Sequence, residues 1–429
     1  MPELRIGNTS PMSRSCADVL VIGAGVAGLT VALRLARVGV PVDVLEQDRS
    51  PAPAGRRSAG TWRRAGVPQA NHAHVFSPSC HRILTEQLPD VLGQLLELGA
   101  RELTVRASDG GERMTLAVRR PMFDWVLRRV AEREPMLRVH NGVSVTGLRR
   151  RGEAGGALSG VVVSGGVLGA SVAVDATGAV GAAEAWLSTL GNPLGHPMLP
   201  TTARRGRDAA RVEYFSRDYV LHWPGDPSEL NLGAAAGGTF SGYRCRVVPG
   251  DNNTFTVTFA VPFDDQHEVD LPRHPAGLGR LAGLAAPEGF EAAAHLVPLV
   301  SSWVDSAVAE PLGAVSVLSV PASSGRRMIT GPGLPGLISV GDAWCTDDPC
   351  NGLGVASALA SGLACARMVP DVLAGGEPDV GSIAAAVDEQ VVDHTVSPPC
   401  GPAQELDGPG VAELTDWVAR VTGISAVPV

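Results

Sequence analysis

The chain has 429 residues, 45% of them apolar and 18% charged, with a net charge of −9, so two domains or one interrupted domain are expected and nucleic acid and anionic membranes are disfavoured as partners. All 35 basic residues are arginine, which excludes Schiff-base and other lysine-dependent chemistry. No apolar run approaches the roughly 18 residues that a membrane span needs.

Residues 1–16 carry no apolar signal-peptide core and read as a loose N-terminal tail. Seven cysteines without a regular framework suggest reduced thiols in a cytoplasm. The stretch Asp18 to Glu46 organises the rest of the chain. Val19 to Ile22 is a short β-branched run suited to a buried strand. Gly23, Gly25 and Gly28 form G-x-G-x-x-G, and Leu29 to Val38 then place apolar residues at helical spacing. The first glycine permits the tight turn, the second lets backbone approach a pyrophosphate, and the third lets helix lie close on strand. A second strand, Val42 to Leu45, ends on Glu46, placed to accept hydrogen bonds from a ribose hydroxyl and to repel a 2′-phosphate. These features in register predict a dinucleotide site.

The next thirty residues lack periodicity and are expected to form an ordered loop over the cofactor. Its arginines, Arg56, Arg57, Arg63 and Arg64, either neutralise a pyrophosphate or are solvated. His72 and His74 share a face of an extended segment, where they contact substrate or flavin, supply a base, or cap a loop. Ser79 to Gly99 is helical by pattern. Arg119-Arg120-Pro121 opens another helix, with Pro121 suited to its first turn and Arg120 a candidate for a phosphate or ribose. Leu137 to Val145 and Leu158 to Val163 read as strands around a glycine-rich turn, and Ser171 to Val174 as a strand running into Asp175-Ala176-Thr177-Gly178.

Between 183 and 314 lie 12 of the 18 aromatic residues, and short alternating strands recur at Tyr219 to Trp223, Tyr243 to Val248 and Thr254 to Ala260. The aromatic density fits either a core or a surface for an apolar ligand. Tyr214, Tyr219, Trp223 and Phe259 are the candidate substrate contacts. Two helices are expected near Leu278 and Ala293. Val315 to Val320 and Gly336 to Val340 return to the buried-strand pattern, followed by Gly341-Asp342, a turn with Pro349, Gly352 and Gly354, and a small-residue helix from Val355 to Val369. The tail, 376–429, holds one or two helices broken at Pro398-Pro399.

Three motifs together resemble the FAD-dependent monooxygenases of the aromatic-hydroxylase and squalene-epoxidase type: Gly23-x-Gly25-x-x-Gly28 with Glu46; Asp175-Ala176-Thr177-Gly178; and Gly341-Asp342 with Pro349-x-x-Gly352-x-Gly354. The resemblance implies an α/β fold, a Rossmann-like FAD-binding domain interrupted by an α+β substrate domain with a mainly antiparallel sheet, plus a helical C-terminal tail. The expected division is 17–182 with 315–375 for FAD, 183–314 for substrate and 376–429 for the tail. It further implies that Glu46 binds the adenosine ribose, Arg120 supports the ribose or pyrophosphate, Val145 contacts adenine through its backbone, Asp342 binds the ribityl or ribose region, and the Pro349 to Gly354 turn lines the isoalloxazine. The implied activity is insertion of one oxygen atom from O2, through a C4a-hydroperoxyflavin, as a hydroxylase or epoxidase acting on a sizeable apolar or aromatic molecule. Secondary-metabolite tailoring, such as antibiotic biosynthesis, is the expected setting. His72 and His74 are the candidate catalytic residues, and no metal is expected.

The chain departs from the resemblance after Asp-Ala-Thr-Gly, where Ala179-Val180-Gly181 replaces the frequent Arg-x-Ser. No second nucleotide-binding unit is present, so NADH or NADPH is expected to bind transiently, or reduced flavin to come from a separate reductase. Flavin halogenases also carry G-x-G-x-x-G, but they rely on a lysine and a Trp-x-Trp-x-x-Pro run, neither of which occurs here. The remaining alternatives are a reductase or dehydrogenase of the geranylgeranyl-reductase type and a non-enzymatic FAD-binding protein.

Overall fold

The computed structural model describes residues 17–106, 111–152, 156–190, 211–222, 236–263, 283–321, 327–328, 334–346, 352–392, 408 and 410–422. Residues 1–16, Trp223, Leu278, Pro349 and the Pro398-Pro399 break lie outside them.

A five-stranded parallel sheet forms the first half, in the order Leu337–Ser339, Val172–Asp175, Val19–Ile22, Val42–Glu46, Leu137–Asn141. Val19 faces Val42 on one side and Val172 on the other. The central strand is apolar throughout because both faces are covered. Val19 and Val21 point into a core shared with helices Val26–Arg37, Arg120–Ala131 and Gly354–Leu373. Leu20 and Ile22 point the other way, onto a three-stranded antiparallel sheet, Val145–Arg150, Leu158–Val163 and Gly166–Gly169, and onto Trp186 and Leu187 of helix Ala182–Thr189. That helix therefore packs with the parallel sheet, beyond the expected limit at 182. Gly354–Leu373 is long and apolar enough to cross a membrane by composition, but most of its apolar surface is buried against other parts of the fold.

The second half is a five-stranded antiparallel sheet, in the order Ala236–Phe240, Tyr243–Pro249, Thr254–Phe263, Arg211–Leu221, Ala309–Pro321. Helices Pro287–Leu296, Pro298–Val304 and Val411–Thr422 cover one side of it.

Several local expectations are corrected. The 79–99 helix is two helices, Pro78–Gln87 and Pro89–Glu97, because Pro89 has no amide hydrogen to continue the first. Between them and Arg120 lies an unforeseen hairpin, Arg101–Arg106 with Glu112–Ala117. The strand expected over 137–145 is also two. Leu137–Asn141 joins the parallel sheet, and Val145–Arg150 pairs with Leu158–Val163. The strand at 315–320 does not return to the parallel sheet; it is the middle of Ala309–Pro321, paired with 211–221, and the return comes at Leu337. The C-terminal helices do not form a unit of their own. Ile383 and Val387 of Val380–Val392 enter the first core, and Leu414 and Val418 of Val411–Thr422 enter the second.

Candidate functional site

The first glycine turn is built for close approach at two positions and left open at the third. Gly23 has φ +108°, a left-handed value that favours glycine, and its amide donates to the Leu45 carbonyl at 2.8 Å. A Cβ on Gly28 would stand 2.1 Å from the Gly23 carbonyl oxygen, so this glycine lets helix Val26–Arg37 lie on the strand. A Cβ on Gly25 would meet nothing within 4 Å. No side chain caps the helix that begins at Val26, so its first-turn amides and positive dipole end face this opening, the arrangement that suits a pyrophosphate.

Glu46 is buried beside that turn. Its carboxylate accepts hydrogen bonds from the Ala24 amide (2.9 Å), the Asp48 amide (2.9 Å) and Arg64 Nη2 (3.1 Å). Arg64 is the residue that loop composition did not single out from its three neighbours. It is buried, donates also to the Ala24 carbonyl at 2.9 Å and to Asp124 at 3.3 Å, and lies over the Trp62 ring. Arg120 donates to the other oxygen of Asp124 at 2.6 Å. Arg120 thus reaches the Glu46 site through Asp124 and Arg64. Val145 opens its strand two residues after Val143, whose amide donates to the Glu46 carbonyl at 2.9 Å, so it stands at the same end of the sheet.

The second and third motifs close on the first. The Asp175 carboxyl accepts from the Thr177 amide (3.0 Å), the Thr177 hydroxyl (2.7 Å) and the Ala183 amide (3.2 Å), which folds the turn through Gly178. Burial raises its pKa against those bonds. Gly341 has φ +58°, a Cβ there would come within 2.8 Å of Ala27 Cβ, and its amide donates to Ser361 Oγ. Asp342 follows it, half-buried on a tight helical turn. Gly352 has φ +68°, and a Cβ there would lie 3.5 Å from Val75, which brings this turn against the histidine loop. Gly354 begins the long helix, uncapped by any side chain and without an acid in its first turn.

His72 joins the two halves. Its Nδ1 lies 2.8 Å from Ser216 Oγ, and Ser216 Oγ lies 2.7 Å from Thr258 Oγ1. All three are buried, and Tyr214 meets the His72 ring edge-on at 6.4 Å. His74 donates Nδ1–H to the His72 carbonyl at 2.9 Å. Burial, with His74 and Arg63 nearby, lowers the His72 pKa to about 3. Burial and Arg120 lower that of His74 to about 4, against the His72 carbonyl and Asp124. Both rings are neutral at pH 7.

A clamp sets the sheet against the first half. Arg119 donates to Asp251 through its amide (3.0 Å), Nε (3.0 Å) and Nη2 (2.9 Å), and to Asp218 through Nη1 (3.4 Å). Burial opposes ionisation of Asp251, but the Arg119 bonds and charge hold its carboxyl below the ordinary value. Asn252, in the left-handed region, accepts from Arg56 and ties its own amide and side chain to the carbonyls of Gly99 and Leu98 at 2.8 and 2.9 Å.

Of the expected substrate contacts among the described residues, only Tyr214 lies on the side of the sheet that His72 meets. Tyr219 and Phe259 are corrections. Both are fully buried on the opposite side, beneath the helices, where the Tyr219 hydroxyl donates to Glu291 at 2.6 Å and Phe259 meets Phe290.

Residues 18–135 match the family described as FAD dependent oxidoreductase, and the fold is similar to that of solved flavin-dependent enzymes. A probable electron transfer flavoprotein-quinone oxidoreductase of Escherichia coli, YgcN, is 27% identical over 66% of this chain, a match that spans 64% of that relative's length. Among solved structures, the flavin-dependent brominase Bmp2 superposes with a TM-score of 0.59 at 16% identity, covering 87% of this chain and 83% of its own. PqsL, a probable FAD-dependent monooxygenase from Pseudomonas aeruginosa, does so with a TM-score of 0.58 at 15% identity, covering 89% and 93%. The Diels-Alderase PyrE3 gives 0.54 at 16%, covering 95% and 73%.

Proposed function

We propose that this chain is an FAD-dependent monooxygenase, which puts one oxygen atom of O2 into a small organic substrate by hydroxylation or epoxidation. The observation that carries the proposal is the buried chain from His72 through Ser216 to Thr258, which joins the antiparallel sheet to the loop packed on the Gly352 turn. The three side chains are buried and paired with one another, which fits the water-poor surroundings that oxygen transfer requires. The fold shared with PqsL, and the absence of lysine, which sets the chain apart from the halogenase alternative, support the same reading.

The residues fit the cofactor. The open backbone at Gly25 and the helix end at Val26 would take the pyrophosphate. Glu46, held by two amides and Arg64, keeps acceptor capacity for a ribose hydroxyl. Asp342 would serve the ribityl or ribose region. The uncapped helix end at Gly354 would stabilise negative charge on the flavin ring. FAD, when bound, supplies the redox chemistry that activates O2. His72, buried and neutral, would pass a proton through the Ser216 hydroxyl, and His74, neutral and tied to the His72 carbonyl, would orient substrate. Electrons come from NADH or NADPH bound transiently, or from reduced flavin delivered by a separate reductase.

The YgcN match favours one second reading, a dehydrogenase that passes electrons onward without oxygen insertion. Turnover under 18O2 separates the two. The monooxygenase reading expects one 18O atom in the product and no turnover without oxygen. Anaerobic turnover with a quinone acceptor and no label in the product would overturn it.

A further inference from the structure

The loop that follows Glu46 holds a buried donor with no partner among the described residues. Trp62 stands just past the short helix Arg56–Ala59, its backbone amide donating to the Ala59 carbonyl at 3.1 Å. Its half-buried indole packs against the first core, and Arg64 lies over the ring with Cζ 5.1 Å from the centroid. The same guanidinium donates to the Ala24 carbonyl at 2.9 Å and to Glu46 at 3.1 Å. Ala24 lies between Gly23 and Gly25, so one side chain separates the indole from the open backbone of the glycine turn. Arg56 bonds Asn252 and Gly60 lies against Arg119, which fixes the loop from its other side. Trp62 Nε1 is itself buried, yet it meets no acceptor. Trp125 shows the contrasting case, with Nε1 donating to the Pro53 carbonyl at 2.7 Å. Trp344 Nε1 is also without an acceptor, but its ring is enclosed in the first core.

An indole N–H only donates, and a buried donor without an acceptor carries the whole cost of losing water. Phenylalanine would pack against the core without that cost. The groups around the indole share a nucleotide chemistry: Glu46 for a ribose hydroxyl, the helix end at Val26 for phosphate, and Arg64 for anionic oxygens. We propose that Trp62 is a ligand of the adenosine diphosphate half of FAD, its indole N–H donating to a phosphate or ribose oxygen while its ring supports the Arg64 guanidinium beside the turn. The two roles belong to different parts of one side chain, the N–H at the edge and the face of the ring, so substitution separates them. The inference rests on FAD as the cofactor and is independent of the reaction that the flavin performs.

The test uses the full-length protein freed of flavin, with 15N in its seven tryptophans. Trp62→Phe or Trp62→Tyr identifies the indole signal that belongs to Trp62. Addition of FAD, and of ADP alone, should move that signal downfield in the parent protein and slow its exchange with water. FMN, which lacks the adenosine half, should leave it in place. In direct titration Trp62→Phe should bind FAD and ADP at least about fivefold more weakly, a loss of about 1 kcal/mol. Trp62→Ala should bind them more weakly still, because Arg64 loses its support. A Trp62 signal that stays in place with FAD bound, or affinities unchanged in Trp62→Phe, overturns the proposal and leaves the cofactor standing. A signal that moves with FAD but not with bound ADP overturns the assignment to the nucleotide half. A parent protein that takes up neither FAD nor ADP overturns the cofactor reading, and this inference with it.

Discussion

At the scale of single residues, two glycines of one motif do different work, and substitution separates them. Gly25 has φ −83°, which any residue adopts, and open space where a side chain would go. Gly25→Ala should fold with stability within about 0.5 kcal/mol of the parent, yet bind FAD at least about tenfold more weakly, because the added methyl group occupies the place of the pyrophosphate. Gly28→Ala should instead destabilise the fold by about 1–3 kcal/mol or more, because its methyl group meets a backbone carbonyl that cannot move aside. Chemical denaturation and FAD titration on both variants check this. The histidines make a pH prediction. The unfolded chain takes up a proton at each near 6.5, while the folded chain resists until about 4 at His74 and about 3 at His72. The unfolded state therefore binds more protons through that window. Stability should be whole above about pH 6.5 and fall on acidification, by up to about 1.4 kcal/mol per pH unit for each histidine. Arg63, Arg120 and Asp124 are the charged groups that bear on the pair. Denaturation midpoints from pH 7 to 4.5 should lose much of their slope in a His72→Gln/His74→Gln variant. A slope unchanged in that variant would show that the histidines are not held neutral.

At the scale of elements, an ionic clamp ties a strand turn of the second half to a helix start of the first. Asp251 is fully buried and accepts three hydrogen bonds from Arg119 alone. Arg119→Ala removes the guanidinium and two of those three bonds, leaving the buried carboxylate the residue-119 amide and Asn252 Nδ2 as donors but no counter-charge from this residue, and should cost about 3–5 kcal/mol. Asp251→Asn in the same background should recover part of the loss, since an amide tolerates burial better than an unpaired charge. A double-mutant cycle by thermal denaturation measures the coupling. The strand at 211–221 shows how an element carries two roles. Phe215 and Tyr219 pack under helices, while Tyr214, Ser216 and Asp218 face the histidine loop and the clamp. The alternation is plain in the sequence, but nothing local says which side the helices cover. For that reason the sequence alone does not separate Tyr219 and Phe259 from Tyr214 as substrate contacts, nor does it mark Ser216 and Thr258.

At the scale of the whole molecule, the dinucleotide site is assembled from segments hundreds of residues apart. Glu46 ends one strand of the parallel sheet, and Gly178 and Gly341 follow the ends of two others, all in the same sheet. FAD should therefore stabilise the chain as a unit, by about 2.7 kcal/mol at one hundred times Kd. Calorimetry should show the transition that contains the parallel sheet moving upward with FAD concentration.

The glycine turn, its strand, helix and terminal acid, and the order of the three motifs are all specified by the amino-acid sequence without reference to the fold. Each of those rests on local sterics and on spacing within a few residues: tight turns, buried β-branched runs, and one acid at a strand end. Long-range packing settles that Arg64 holds Glu46, that 309–321 belongs to the antiparallel sheet, and that the aromatic cluster is a core while Arg244 and Arg246 share a side with Ser216. These depend on strand register and on which helix covers which side, and both are set by contacts between residues far apart in the chain, which local periodicity does not encode.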